Sequence, residues 1–209
     1  MKLVVLEGVP LNTGDLSWDA LSALGELTVY DRTAPEQIIE RAKDAQALFV
    51  NKSILTRDIL YALPNLRYIG LFSTGFNVVD LSAAKELGLV VTNIPAYSTY
   101  AVTQMVFALL LELTNQVSRH SEAVRAGAWS DSRDFCFWLT PLTELTGKTM
   151  GIIGMGQTGQ QTARVALAMG MQVVAYSPEK RTGFSGVRWA DRDTVLKEAG
   201  CALPALPSQ

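Results

Sequence analysis

At 209 residues the chain has room for one large domain or two small ones. Lys and Arg number 18 against 20 Asp and Glu, a net charge of −2, so there is no electrostatic footprint for nucleic acid or an anionic membrane surface. Apolar residues at 48% supply real cores, while Cys136 and Cys201 have neither metal-ligand spacing nor a disulfide framework, which makes a reducing cytoplasm the expected setting.

The apolar run near Met1 is too short for a signal peptide. Residues 2–6 make a short apolar strand, 17–24 a helix and 27–30 a second strand. Thr33-Ala34-Pro35-Glu36 has the capping-box pattern, Thr at the cap and Glu three residues on, and starts a helix to about Lys43. Residues 47–50 form a third strand, and Thr56 caps a short helix ending before Pro64. Residues 68–72 are a fourth strand, Asp80 starts a helix that Gly88 ends, and 89–92 are a fifth strand. Continuous apolar strands alternating with helices predict a parallel sheet covered on both faces.

A long helix from about Thr99 to Ala126 follows, with Val102, Met105, Val106, Leu109, Leu110, Leu113 and Val117 on its apolar face. Its most apolar part, 101–113, carries Gln104 and Glu112 and is too short to span a bilayer. His120, the sole histidine, lies between Arg119 and Ser121 and reads as a surface or packing residue. An aromatic connection runs from Trp129 to Trp138; its Phe135-Cys136-Phe137-Trp138 cluster reads as core or subunit interface rather than a cofactor box.

The most informative stretch is 149–176. An apolar strand (150–153) meets Gly154-Met155-Gly156-Gln157-Thr158-Gly159, a helix begins at once, Gly170 ends it, and 172–176 form another strand. This is a βαβ unit opened by the G-x-G-x-x-G dinucleotide fingerprint. Gly154 permits the sharp turn. Gly156 lets the main chain approach a pyrophosphate at the helix start, and Gly159 joins Ala163 and Ala166 on the face that sits against the sheet. The acidic residue usual at the end of the second strand is replaced by Ser177, followed by Lys180 and Arg181. Serine with nearby cations suits the 2′-phosphate of NADP, where a carboxylate would suit NAD; the two cations read equally well as a solvated loop.

With these residues in view, the chain resembles the D-2-hydroxyacid dehydrogenase family, most closely its glycerate dehydrogenase and hydroxypyruvate reductase members, over residues 1 to about 199. The motifs are Ser73-Thr74-Gly75-Phe76-Asn77-Val78-Val79-Asp80, Asn93-Ile94-Pro95-Ala96-Tyr97-Ser98-Thr99 running into Val102 and Gln104, and the stretch from Gly147 through Gly159. The resemblance implies an α/β protein with a flavodoxin-like substrate domain (1–98) and a Rossmann domain (99–209) that binds NAD or NADP. It implies that Ser73, Thr74 and Gly75 bind a small 2-keto or 2-hydroxy acid, the last two through backbone N–H groups. Gly75 also reads as a plain turn glycine. It further implies that Val102 and Thr103 line the nicotinamide side and that the protein is a homodimer, with no nucleic acid or membrane partner.

The family's catalytic Arg, Glu and His lie later than residue 209, so no catalytic residue is assigned. The expected activity of these 209 residues is negligible. A dinucleotide-binding protein without turnover is the competing reading. The end, Gly200 to Gln209, carries Pro204 and Pro207, which are unsuited to an inner strand. Codons permitted for 202–209, read one base later, encode Leu-Ser-Leu-His-Cys-Pro-Leu, which resembles the family here. A frameshift near Gly200, with a marginal or disordered end after about residue 199, is therefore expected.

Overall fold

The computed structural model describes residues 1–178 and 184–204, with side-chain surroundings through residue 200. The chain divides into two compact units, Met1–Tyr97 and Ser98–Ser208.

The first unit is a five-stranded sheet of β1 (Lys2–Val5), β2 (Glu26–Val29), β3 (Ala47–Val50), β4 (Tyr68–Leu71) and β5 (Val90–Thr92). Its order is β2-β1-β3-β4-β5 and every pair is parallel, the flavodoxin-like arrangement. Side chains alternate across β3: Leu48 and Val50 enter one core with Leu6, Ile69 and Leu60, while Ala47 and Phe49 enter the other with Leu3 and Val5. Both faces are therefore covered. Phe49 stacks on Phe72 at 5.5 Å and lies over Gly70, where a Cβ would come within 2.6 Å of its ring.

The helices are short: α1 (Asp19–Ser22), α2 (Ile38–Ala42), α3 (Arg57–Tyr61) and α4 (Leu81–Glu86). Thr56 and Asp80 cap α3 and α4 as expected, accepting from the N–H of Ile59 and Ala83. Thr33 does not cap. Its hydroxyl donates to the Leu6 carbonyl at 2.7 Å and accepts from Arg41, so the start moves on to Ala34. There the Gln37 side chain accepts from the Ala34 N–H, and a 3-10 turn (Pro35–Gln37) leads into α2.

The second unit opens with α5 (Thr99–Asn115) and α6 (Val117–Arg125). The single long helix expected here is broken at Gln116, which adopts the left-handed conformation (φ 47°, ψ 49°). Of the expected apolar face, Leu110 is buried and Val106 packs against the core, but the rest of the face differs. Thr103, Phe107 and Leu110 are buried, whereas Met105, Leu109, Leu113 and Val117 are more than half exposed. The reason is local packing: the Thr103 hydroxyl meets that of Thr162 at 3.4 Å, and these small side chains let α5 lie close to the next helix.

The second sheet comprises β6 (Thr149–Ile153), β7 (Gln172–Tyr176), β8 (Val187–Trp189) and β9 (Cys201–Pro204), with α7 (Gln157–Ala168) and α8 (Arg192–Glu198). Its order, β8-β7-β6-β9, is all parallel and is the Rossmann 3-2-1-4 sequence. Met150, Ile152, Val173 and Ala175 pack against Phe107, Leu110, Ala163 and Ala166. On the other face a Cβ at Gly151 would fall 2.6 Å from Ala199 Cβ, so α8 lies tight on β6.

β9 corrects the expectation for the tail. A strand follows α8 and pairs with β6 in the register Met150↔Cys201 to Ile153↔Pro204. Pro204 is its last described residue, and among the described residues β9 pairs on one side only, with β6. Residues 205–209 lie outside the described residues. Among the described residues, no helix is long and apolar enough to cross a membrane, and no His, Cys, Asp and Glu cluster could hold a metal ion.

Candidate functional site

Ser73, Thr74 and Gly75 follow β4 at the carboxyl edge of the first sheet. The segment after β5 ties them down. The Ile94 N–H donates to the Ser73 carbonyl at 3.0 Å, Asn93 Nδ2 donates to the Thr74 carbonyl at 2.7 Å, and Thr74 Oγ1 donates to the Ile94 carbonyl at 3.0 Å. Ser73 Oγ donates to the Gly75 carbonyl at 2.8 Å. The far end of the loop is pinned by a parallel bridge between Leu55 and Val79, and by Asp80 at the start of α4. The hydroxyls and carbonyls of residues 73–75 are thus engaged with the protein. Their N–H groups are not: among the described residues nothing accepts from Thr74 or Gly75 N–H. Gly75 is not left-handed, and a Cβ there would meet only Asn77 Oδ1, at 3.4 Å. The turn itself therefore does not require glycine.

The fingerprint follows β6 in the second unit. Gly154 is left-handed (φ 100°) and donates to the Tyr176 carbonyl at 2.7 Å, joining the ends of β6 and β7. Gly156 caps α7 in an extended conformation with no side chain to cover the helix end. No group among the described residues accepts from the N–H of Gln157, Thr158 or Gly159. Open donors at the positive end of a helix dipole are an arrangement suited to an anion. Gly159 is required by packing, since a Cβ there would fall 2.1 Å from the Gly154 carbonyl oxygen. Met155 is fully buried in the core, so it can meet a ligand only through its peptide.

Among the remaining expected residues, Ser177 directly follows β7 and is half-buried. Lys180 and Arg181 lie outside the described residues. Val102 is exposed, while Thr103 is buried against Thr162. His120 is held on both sides: Nδ1 lies 2.9 Å from the Gln116 carbonyl, and the Leu139 N–H donates to Nε2 at 3.3 Å. That pattern places the ring proton on Nδ1 and makes His120 a tie for the aromatic connection. Phe137 packs edge-on against Trp129 at 5.6 Å, leaving Phe135 and Trp138 largely exposed.

Two residues at this edge of the first sheet carried no assigned role in the sequence. Glu7 accepts from the Asn51 N–H at 2.6 Å, the Lys52 N–H at 3.1 Å and the Ser53 hydroxyl at 2.9 Å, fixing the loop after β3 to the segment that follows β1. Asn93 is the other. A polar residue just past the carboxyl end of a parallel strand was the available signal for both. Among the described residues, the titratable groups held away from their ordinary values are on α3 and α4 and at the start of α8. Hydrogen bonds from Arg57 and then Tyr61 hold Glu86 down at about 2, and those bonds raise Arg57 and Tyr61 in turn. The Thr194 backbone N–H and then its hydroxyl lower Asp191 at its cap.

Comparison with known proteins agrees with this architecture. The hydroxypyruvate reductase of Blautia hydrogenotrophica is 45% identical over 204 residues, covering 95% of this chain and 63% of that protein. The glycerate dehydrogenase of Methylorubrum extorquens is 35% identical, covering 83% and 54%. Among solved structures, the Escherichia coli D-lactate dehydrogenase superposes with a TM-score of 0.77 at 28% identity, covering 99% of this chain and 66% of that one. The Aquifex aeolicus D-lactate dehydrogenase complexed with NAD and lactic acid gives 0.75 at 29%, covering 99% and 61%. The chain spans less than two thirds of the length of these relatives. Residues 5–187 match the family described as D-isomer specific 2-hydroxyacid dehydrogenase, catalytic domain, and the chain belongs to that family.

Proposed function

We propose that this chain is the acid-binding and dinucleotide-binding part of an NAD(P)-linked oxidoreductase that interconverts a small 2-hydroxy acid and its 2-keto acid, of the glycerate–hydroxypyruvate or glyoxylate type. The observation that carries this reading is a pair of loops at the carboxyl ends of parallel strands, each with open N–H groups: Thr74 and Gly75 after β4, and Gln157 to Gly159 at the start of α7. The first suits a carboxylate and the second a pyrophosphate. When bound, the nicotinamide supplies or accepts the hydride. Val102, at the start of α5, is the residue offered to its ring.

A second reading, dinucleotide binding without turnover by these 209 residues, is favoured by the state of His120. Both of its ring nitrogens are engaged, so it is not offered as the proton donor. Reaction without a general acid is slower by about 10²–10⁴, and without a charged stabiliser by about 10²–10³ more. The test is to titrate NADH and NADPH by fluorescence and then assay hydroxypyruvate reduction. Saturable binding with negligible turnover is expected. Absence of dinucleotide binding would overturn the functional reading, and measurable turnover the inactivity.

Ser177 at the end of β7 supports NADP at least as well as NAD, and Ser177→Asp is expected to shift preference towards NAD by repelling the 2′-phosphate. The exposed stripe of Met105, Leu109 and Leu113, with Phe135 and Trp138, supports a homodimer. Light scattering at micromolar concentration is expected to give twice the chain mass; a well-folded monomer would remove the proposal.

A further inference from the structure

The 73–75 loop presents its N–H groups because something outside the loop holds its carbonyls. No peptide bond in the described chain is cis, and in a trans peptide the C=O and the following N–H point in opposite directions within one plane. The plane between Ser73 and Thr74 is fixed by the Ile94 N–H on the Ser73 carbonyl, at 3.0 Å. The next plane, between Thr74 and Gly75, is fixed by Asn93 Nδ2 on the Thr74 carbonyl, at 2.7 Å. Both carbonyls face the 93–94 segment, so both N–H groups, of Thr74 and of Gly75, face away from it. Two consecutive N–H groups aimed to one side are unusual, because an extended chain alternates them.

The two ties differ in kind. Ile94 uses its backbone, which almost any residue would supply. Asn93 uses its side-chain amide, and an amide N–H is the donor its place needs. Thr74 Oγ1 closes the arrangement by donating back to the Ile94 carbonyl. Asn93 is itself exposed and its own Oδ1 is not required for the tie, so its contribution to stability is small.

We propose that Asn93 is a positioning residue for acid recognition: its side-chain amide orients the Thr74–Gly75 peptide so that the Thr74 and Gly75 N–H groups converge on one substrate carboxylate. This rests on the reading of the 73–75 loop as the acid site, and the test separates the two. Oxalate, a carboxylate beside a second oxygen, is titrated into the ¹⁵N-labelled chain while the amide resonances of Thr74 and Gly75 and the side-chain NH₂ of Asn93 are followed.

In the unmodified chain, the Thr74 and Gly75 amides are expected to move together and saturate. The Asn93 NH₂ should move at the same midpoint, because a hydrogen bond to Gly75 N–H polarises the carbonyl of the same peptide. Asn93→Ala and the near-isosteric Asn93→Asp are expected to weaken oxalate binding about tenfold, the scale of one orienting hydrogen bond, with little change in melting temperature. If the Thr74 and Gly75 amides never saturate, the acid site and the positioning role both fall. If they saturate but the variants bind equally well, only the positioning role falls. Should both variants fail to fold, the unmodified chain still decides: saturating Thr74 and Gly75 amides with a motionless Asn93 NH₂ would overturn the proposal.

Discussion

The loop after β4 and the loop after β6 leave backbone N–H groups open by opposite means. In the first, no helix follows at once; the carbonyls of Ser73 and Thr74 are held from outside by residues 93–94, and the N–H groups are left over. In the second, the helix itself supplies the open donors, because the first turn of α7 has no preceding carbonyls to bond. The glycines divide in the same way. Gly159 is demanded by the fold, with a Cβ 2.1 Å from Gly154 O, whereas Gly75 has room for a Cβ. A tethered loop can be tuned by its tether, while a helix end is built in.

The sharpest way to break this comparison is to add a methyl group to each glycine. Gly159→Ala drives Cβ into a backbone carbonyl that cannot move without displacing β6, and is expected to cost about 3 kcal/mol or more and to abolish dinucleotide binding. Gly75→Ala is expected to change stability by less than about 0.5 kcal/mol. Thermal melts of the two variants check both. Equal losses would mean that the two glycines serve the same purpose.

The second unit depends on the close approach of α5 and α7, where the hydroxyls of Thr103 and Thr162 meet at 3.4 Å. Thr162→Val leaves Thr103 buried without its partner and is expected to cost about 1–2 kcal/mol, within the usual range for an unsatisfied buried hydroxyl. The double change Thr103→Val with Thr162→Val should cost less than either single change, because no polar group is then left unpaired. A denaturant series on all three variants measures the coupling, and simple additivity would refute it.

How much of this was legible in the sequence follows from the distance over which each feature is decided. β3 and β7 stand where their apolar runs predict, and Thr56 and Asp80 cap as expected, since a cap is settled within three residues. Thr33 failed as a cap because its hydroxyl is used by Leu6, 27 residues away. The buried face of α5 was right at Val106 and Leu110 but wrong at Met105, Leu109 and Leu113, because a small polar pair helps set the helix contact. β9 was missed because its prolines were weighed locally, while its pairing is with β6, far back in the chain. The place of Asn93 past the end of β5 was a local signal, but its partner lies 19 residues away, so its role could not be read from the pattern.

A smaller effect concerns the chain just after the first sheet. Ala96 is left-handed (φ 59°), which costs a residue with a Cβ about 1 kcal/mol. Ala96→Gly relieves that strain but loosens the unfolded chain, so a net gain of at most about 1 kcal/mol is expected. A loss of stability would mean that the Ala96 methyl group makes a contact worth more than the strain.

The smallest expected effect separates the units by pH. Glu86, in the first, is held down from 4.5 to about 2, first by hydrogen bonding from Arg57 and then from Tyr61. Asp191, in the second, is lowered by the Thr194 N–H and hydroxyl at its cap. A carboxyl whose folded value is depressed adds stability that is fully present above its unfolded value and is lost as the pH falls through its folded one. For Glu86 that window runs from 4.5 to about 2. Glu86→Gln should therefore be less stable than the unmodified chain at neutral pH, and the two melting curves should converge as the pH falls through the window. The gap should be small, since the network is exposed and screened by salt. Asp191→Asn tests the second unit in the same way, and its gap should also close on acidification. A gap for Glu86→Gln that stays constant from neutral pH to pH 2 would mean that its partners hold the side chain by shape and not by its charge.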